Sequence, residues 1–446
     1  MDEKLDISND MLLLRARERM YEHVEYNRLN NRITYRDLYH QVTKKRRIWP
    51  LRRVISEFQD ELFDLMPCWL ASPESVSSLF PMRPFFDLVI FDEASQCFVE
   101  KGIPAMYRGR QLVVAGDDKQ LRPNDLYQVR FEGETNDIVE LEIDSLLELA
   151  SKHLMQVHLK GHYRSQSLDL IDFSNRYFYN GNLSLLPEFN VVNNGEPAIE
   201  YRKVDGTWSK NINEVEASEV TSILIELIRS GSEKEVGVVT FNATQREFIQ
   251  DMVDDELMKS GLLWPDSWFI KNIENVQGDE KDLIIFSVGY APGKGGRMSL
   301  KFGSLNVPNG ENRLNVAVTR ARERIILVSS ILPQQLKTER TRNEGPKLLK
   351  KYLEYAWEVS QGNFEPYVKE QNAHHPEWYL KSHLRKFGKE SLDDVRLTEE
   401  LPFADLTARQ GEKYVGLILT DDERYFQAES VKESHVYLPR ILNEKN

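Results

Sequence analysis

Six short apolar runs punctuate the chain: DLVIF (87–91), QLVVA (111–115), MQVHL (155–159), VGVVTF (236–241), DLIIFSV (282–288) and RIILVSS (324–330). Segments of helical length and pattern separate them. Near-continuous apolar strands alternating with helices predict an α/β fold with parallel sheets covered on both faces. The first 65 residues instead carry a helical pattern, broken at Pro50, because proline cannot continue a helix interior. Ligands of open α/β sheets collect at the carboxyl ends of strands, so the residues just after each run are the first candidates for chemistry.

After DLVIF stand Asp92 and Glu93, in DEASQ. Two acids at the end of a buried strand are costly unless paired or set against a cation. The first is suited to orienting Mg²⁺ through water and the second to polarising an attacking water. A plain helix cap reads the same way when taken alone. After QLVVA comes GDDKQLRP (116–123), with Gln120. After MQVHL comes KGHYRSQ (160–166), with Arg164. NVQGDEK (275–281) precedes DLIIFSV, and NRLNVAVTRAR (312–322) runs into the last strand. Arg313, Arg320 and Arg324 are spaced seven and four apart, which predicts one helical face. An arginine aimed at a phosphate stabilises its developing charge; a solvated basic helix fits the segment equally well.

Composition narrows the classes. No run of eighteen apolar residues occurs in the 446, so a membrane-spanning helix is not expected. MDEKLDISND lacks the basic start and apolar core of a signal peptide. Two cysteines, Cys68 and Cys97, exclude a disulfide framework and a cysteine-rich zinc site, and the expected compartment is the cytoplasm. The net charge is −13, so nucleic-acid binding would need a local basic surface. Residues 32–53 provide one, with eight Lys/Arg against one acid, although a solvated helix face has the same composition. Residues 132–148 hold seven acids and no base, as expected of a linker with an acidic helix start. Trp264 and Trp268 could stack bases but fit a core or a hinge better, and His374-His375 fits a turn before a helix better than a metal site.

The ordered elements FDLVIFDEASQ, VVAGDDKQLRP, HYRSQ, VVTFNATQ, NVQGDEKDLIIFSV and NRLNVAVTRAR resemble superfamily-one helicases of the nonsense-mediated-decay-helicase-like branch, which includes bacterial AAA-domain or helicase-like proteins. PCWLASPESVSSLFP (67–81) is similar to the strand-binding segment that this branch carries before its DE box. The resemblance spans roughly residues 67–330. It implies RecA-like parallel sheets, an ATP-dependent nucleic-acid helicase or translocase, ATP and Mg²⁺ as cofactors, and single-stranded DNA or RNA as partner. Residue by residue, it makes Asp92 the Mg²⁺ aspartate and Glu93 the water-activating glutamate. Gln120 becomes the γ-phosphate sensor, and Arg164 and Arg320 the two arginines that reach that phosphate. Gly278 and Glu280 match the element that couples nucleotide to strand, and Gln245 matches a polar position of the VTF-Q element.

One motif of the family is missing. No G-x-x-x-x-G-K-[ST] loop occurs: Gly293-Lys294 has Val288 where the first glycine belongs and Gly295 where Ser/Thr belongs, and Gly388-Lys389 is followed by Glu390. The resemblance therefore points to a C-terminal portion lacking the P-loop, inactive by itself, whose missing loop comes from an upstream region or a partner chain. A non-hydrolytic nucleic-acid- or protein-binding module is the alternative. The implied layout is a basic helical stalk remnant (1–66), a partial first lobe with the DE box (67–131), an acidic linker (132–150) and a complete second lobe (151–350). A connecting helix (351–372) and a small α+β module (373–446) complete it. That module is similar to restriction-endonuclease-like domains, in which Asp405 and Glu377 would be metal ligands. Leu419 stands where a further acid is expected, and Asp421 lies two residues on, so cleavage is not expected.

Overall fold

The computed structural model describes residues 6–22, 32–123, 145–185, 196–338, 341–367, 379–398 and 406–418, apart from positions 16, 19–20, 160, 163, 294, 297, 299–301, 393 and 412. The chain divides into two compact units. The first comprises residues 1–118 and 122–156, and the second residues 119–121 and 157–446.

In the first unit, helices α1 (Arg32–Thr43), α2 (Leu51–Glu57), α3 (Gln59–Leu65) and α4 (Pro73–Leu79) precede a pair of parallel strands. Pro50 caps α2, where its missing N–H costs nothing. The strands are β1 (Phe86–Phe91) and β2 (Gly109–Val114), in register from Phe86 opposite Gly109 to Phe91 opposite Val114. Between them runs α5 (Val99–Met106), and α6 (Leu146–His153) closes the unit. One face of the strand pair, with Val89, Phe91, Leu112 and Val114, packs on Ala105, Leu146 and Leu147. The other face is open: Leu88, Ile90 and Val113 are all exposed. A separate core gathers Leu38, Ile55, Phe58, Leu62 and Phe80. The helix α6 belongs to this unit, so the second begins at Val157 rather than at 151.

The second unit is built on a five-stranded, wholly parallel sheet of order β5-β9-β8-β6-β7. Its strands are β5 (Ile199–Lys203), β6 (Val236–Thr240), β7 (Phe269–Asn272), β8 (Lys281–Ser287) and β9 (Ala321–Ser329). Helices cover both faces, and the side chains of β8 alternate between them. Leu283 and Ile285 join the core under α8 (Glu214–Arg229) and α9 (Ala243–Ser260). Ile284 and Phe286 join the core under α7 (Leu168–Tyr177), α10 (Glu311–Val318) and α11 (Glu344–Ser360). A short parallel pair, β3 (Gly161–His162) and β4 (Ser184–Leu185), precedes this sheet in sequence. This is the α/β, RecA-like layering expected from the apolar runs.

Several expectations are corrected. MQVHL forms no strand: residues 155–159 have no regular structure, and Met155 and Leu159 are about nine-tenths exposed. An apolar alternation without a partner strand has no ladder to join. Arg313, Arg320 and Arg324 do not share a helix, since α10 ends at Val318 and Arg324 lies on β9. Of the expected connecting helix (351–372), residues 351–360 are the end of α11 and 361–367 are not helical, while 368–372 lie outside the described residues. The helix ends at Ser360, and Leu349, Tyr352, Leu353, Ala356 and Val359 are buried in the core. Trp268, by contrast, agrees with the core reading favoured for it, donating its Nε1–H to the Lys234 carbonyl at 2.9 Å.

Near the C-terminus, α12 (Tyr379–Ser391) packs on an antiparallel sheet of β10 (Val395–Thr398), β11 (Leu406–Gln410) and β12 (Lys413–Ile418). Gly388 lies within this helix and makes room for Leu397, whose Cδ1 lies 2.7 Å from where a Cβ would stand. Glu377, Asp405, Leu419, Asp421 and the pair His374-His375 lie outside the described residues.

Candidate active site

In the first unit, β1 delivers Asp92 and Glu93 to its carboxyl end, where both are exposed. The Glu93 N–H donates to Asp92 Oδ1 at 3.0 Å. Glu93 has φ of +51° and ψ of +39°, left-handed values that cost a non-glycine residue roughly 1 kcal/mol or more. The next two residues hold this strain in place. Ala94 and Ser95 are buried in a single 3-10 turn, the Ala94 N–H donates to the Ala115 carbonyl at 2.9 Å, and the Ala115 N–H donates to the Phe91 carbonyl at 2.8 Å. The turn thus ties the ends of β1 and β2 together and leaves the two carboxylates facing solvent. Among the described residues no three His, Cys, Asp or Glu side chains converge as a metal site. Asp92 alone fits a Mg²⁺ held through water, the arrangement in which one carboxylate and the nucleotide's phosphates share the ion.

In the second unit, four of the candidate residues meet at one turn between β7 and β8. Gly278 has φ of +83°, a conformation that suits glycine. Glu280 Oε2 accepts from Arg164 Nε at 2.7 Å. Arg322 approaches the other oxygen of Glu280 at 3.6 Å and holds Asp282 and Glu235 at 2.8 and 2.5 Å. The hydrogen bond from Arg164 keeps the Glu280 carboxyl below its ordinary value, and the Arg322 and Arg320 charges add to this. Arg320 is only 3% exposed. Its Nε donates to the Val316 carbonyl at 2.7 Å, Nη2 to Thr319 Oγ1 at 3.0 Å and Nη1 to the Asp279 carbonyl at 3.4 Å. The two arginines are held very differently. A partly exposed pair such as Arg164–Glu280 is worth ~1 kcal/mol or less, so an incoming phosphate can compete for Arg164. Arg320 is locked to the backbone.

The profile of a family described as AAA domain matches residues 143–331, and another of the same description matches residues 50–124. An uncharacterized ATP-dependent helicase of Mycoplasma pneumoniae is 36% identical over 313 residues, 66% of this chain and 28% of that protein. The DNA polymerase alpha-associated DNA helicase A of Saccharomyces cerevisiae is 27% identical over 343 residues, 67% of this chain and 46% of that protein. Regulator of nonsense transcripts 1 of Caenorhabditis elegans is 26% identical over 263 residues, 54% of this chain and 23% of that protein. The chain belongs to the superfamily-one helicases of this branch. It spans 28% of the length of the Mycoplasma relative.

Gln120 lies on the 119–121 segment, which the second unit holds by side chains to which the motifs assign no role. Asn312 Nδ2 donates to the Gln120 carbonyl at 2.8 Å, and Asn315 Nδ2 to the Lys119 carbonyl at 2.9 Å. The Leu121 N–H donates to Gln277 Oε1 at 3.3 Å. Asn312 and Asn315 sit three apart on α10, and that spacing is the signal the sequence offers for them. Gln245 is not part of the arginine cluster. It is fully buried, accepts from the Asn213 N–H at 2.8 Å and donates to the Asn213 carbonyl and Ser287 Oγ, both at 3.1 Å.

Proposed function

We propose that the chain is the DE-box and arginine-bearing part of an ATP-dependent nucleic-acid helicase or translocase acting on single-stranded DNA or RNA. The observation that carries the reading is the meeting of Arg164, Gly278, Glu280 and Arg320 at one turn. In this reading Glu93 orients and deprotonates the attacking water. Arg164 leaves Glu280 for the phosphate, and Arg320, whose guanidinium donates to Val316, Thr319 and Asp279, fixes the turn that carries Glu280. Gln120, positioned by Asn312 at its main chain, reports the state of the γ-phosphate. When bound, Mg²⁺ neutralises phosphate charge, with Asp92 holding it through water. No P-loop is present in the sequence to cradle the phosphates, so the chain by itself is expected to release no phosphate from ATP, with or without single strands.

The decisive test supplies the loop by letting this chain replace the matching stretch of the Mycoplasma pneumoniae helicase. The chimera is expected to hydrolyse ATP faster in the presence of single strands. Arg164→Ala and Glu93→Gln should each lower turnover by ~10³-fold or more while nucleotide binding changes much less. If both variants turn over like the parent chimera, the assignment fails. An inactive but folded chimera that still binds strands would favour the non-hydrolytic binding module.

A further inference from the structure

The basic run before α2 is absorbed neither by the core nor by the arginine cluster. Residues 44–53, KKRRIWPLRR, hold six cations and no acid in a chain of net charge −13. Like charges packed this closely repel one another and are tolerated where an anion compensates them. Among the described residues, no acidic side chain lies within ion-pair distance of Lys44, Lys45, Arg46, Arg47, Arg52 or Arg53. The contrast with the second unit is sharp, because there Arg164, Arg202, Arg322 and Arg324 each hold a carboxylate.

The segment is also shaped. It bends between α1 and α2, and Arg47 takes a left-handed φ of +53°. Trp49 anchors the bend from inside: its ring stacks on Phe58 at 6.4 Å, the Arg53 guanidinium covers it at 3.9 Å and the Lys44 ammonium approaches at 5.2 Å. Trp49 is therefore occupied and not offered for base stacking. Lys45, Arg46, Arg47 and Arg52 face outward, all exposed.

We infer that this bend is a phosphate-backbone contact for nucleic acid, formed by Lys45, Arg46, Arg47 and Arg52 and indifferent to base sequence. The inference rests on the proposed function for the identity of the polymer. The exposed charges make charge-assisted hydrogen bonds to phosphate oxygens, which single and double strands share, so both are accepted.

The test uses the full chain. The triple variant Lys45→Glu, Arg46→Glu, Arg47→Glu is compared with Lys259→Glu, Lys386→Glu, Lys389→Glu, which changes net charge equally at exposed positions of the second unit. Circular dichroism checks that both fold. Binding of labelled single-stranded and duplex oligonucleotides is measured by anisotropy across a salt series. Each phosphate contact contributes about 0.9 to the logarithmic salt slope on a duplex. The bend variant is expected to lose affinity by tenfold or more at low salt and to flatten the duplex slope by about two to three, while the control variant changes neither. Equal losses in both variants would overturn the inference, since bulk charge would explain them. Wild-type binding unchanged in the bend variant would overturn it too but leave the helicase reading standing. Binding of the bend to vesicles containing phosphatidylserine, without binding to oligonucleotides, would likewise overturn it. Failure of the chimera to turn over ATP, with the oligonucleotide pattern as expected, would overturn the hydrolytic reading alone.

Discussion

Glu216, in the first turn of α8, is fully buried at the carboxyl ends of β8 and β9. Its Oε1 accepts from the Ser330 N–H at 2.7 Å and Asn213 Nδ2 at 3.1 Å, and its Oε2 from the Gly289 N–H at 2.6 Å and Ser287 Oγ at 3.1 Å. Burial outweighs these donors and pushes the carboxyl from an ordinary 4.5 up to about 7. The folded chain then keeps a proton that the unfolded chain releases between those values, so this group's contribution to stability falls as pH rises from 4.5 to about 7. Glu216→Gln removes the titration and sets an N–H₂ against a backbone donor, at ~1–3 kcal/mol. The variant is expected to melt below the wild type and to lose the part of the pH slope due to Glu216. Burial raises Asp169 and Asp172 as well, so the readout is the difference between wild-type and variant melting curves from about pH 5 to 8. An unchanged slope would refute the account. This network is illegible in the sequence. Asn213 and Glu216 look like an ordinary helix start, and their partners come from β8, β9 and α9. By contrast, Asp92, Glu93, Arg164, Gly278, Glu280 and Arg320 stand in the short motifs that carry the resemblance, which singles them out where position after a strand alone leaves plain caps and surface arginines equally open.

Among the elements, the interior strands are legible because parallel strands covered on both faces are nearly continuous apolar runs, as Val236–Thr240 is, buried at every position. The strands hidden from the apolar pattern are β5 (IEYRK) and β7 (FIKN), the two edges of the same sheet. Edges have one neighbour and admit charge, which breaks the run that reveals an interior strand. Helix starts depend on equally local fits. Gly345, in the first turn of α11, lies against the 3-10 turn Gly303–Asn306, and a Cβ there would stand 2.3 Å from the Leu305 carbonyl oxygen. Alanine in place of a helical glycine ordinarily gains up to ~1 kcal/mol. Here the overlap is with backbone, which cannot rotate away, and overpacking of this kind costs ~1–3 kcal/mol. Gly345→Ala is therefore expected to destabilise the second unit, with a lower unfolding midpoint in urea and an unchanged slope. A neutral or stabilising result would mean that the 3-10 turn shifts freely.

Across the whole molecule, the two units differ in how completely they bury their apolar surface. The sheet of the second unit is covered on both faces by continuous cores. The strand pair of the first is covered on one face only, and its helices form a separate small cluster around Phe58 and Phe80. Hydrophobic stabilisation scales with apolar area removed from water, at ~25 cal/mol per Å², so the first unit has less to set against its chain entropy. Units with separate cores are expected to unfold separately. Calorimetry should show two heat-absorption peaks, the lower from the first unit. Phe80 is 3% exposed and meets Trp69, Phe85 and Phe86 at ring-centroid distances of 5.0–5.6 Å. Phe80→Ala, a loss of ~3–5 kcal/mol at a buried ring, is expected to lower or abolish the first peak and leave the second in place. Gly345→Ala should lower only the second. If both variants moved one shared peak, the units would form a single cooperative body, and the open face of β1 and β2 would not be a thermodynamic weakness.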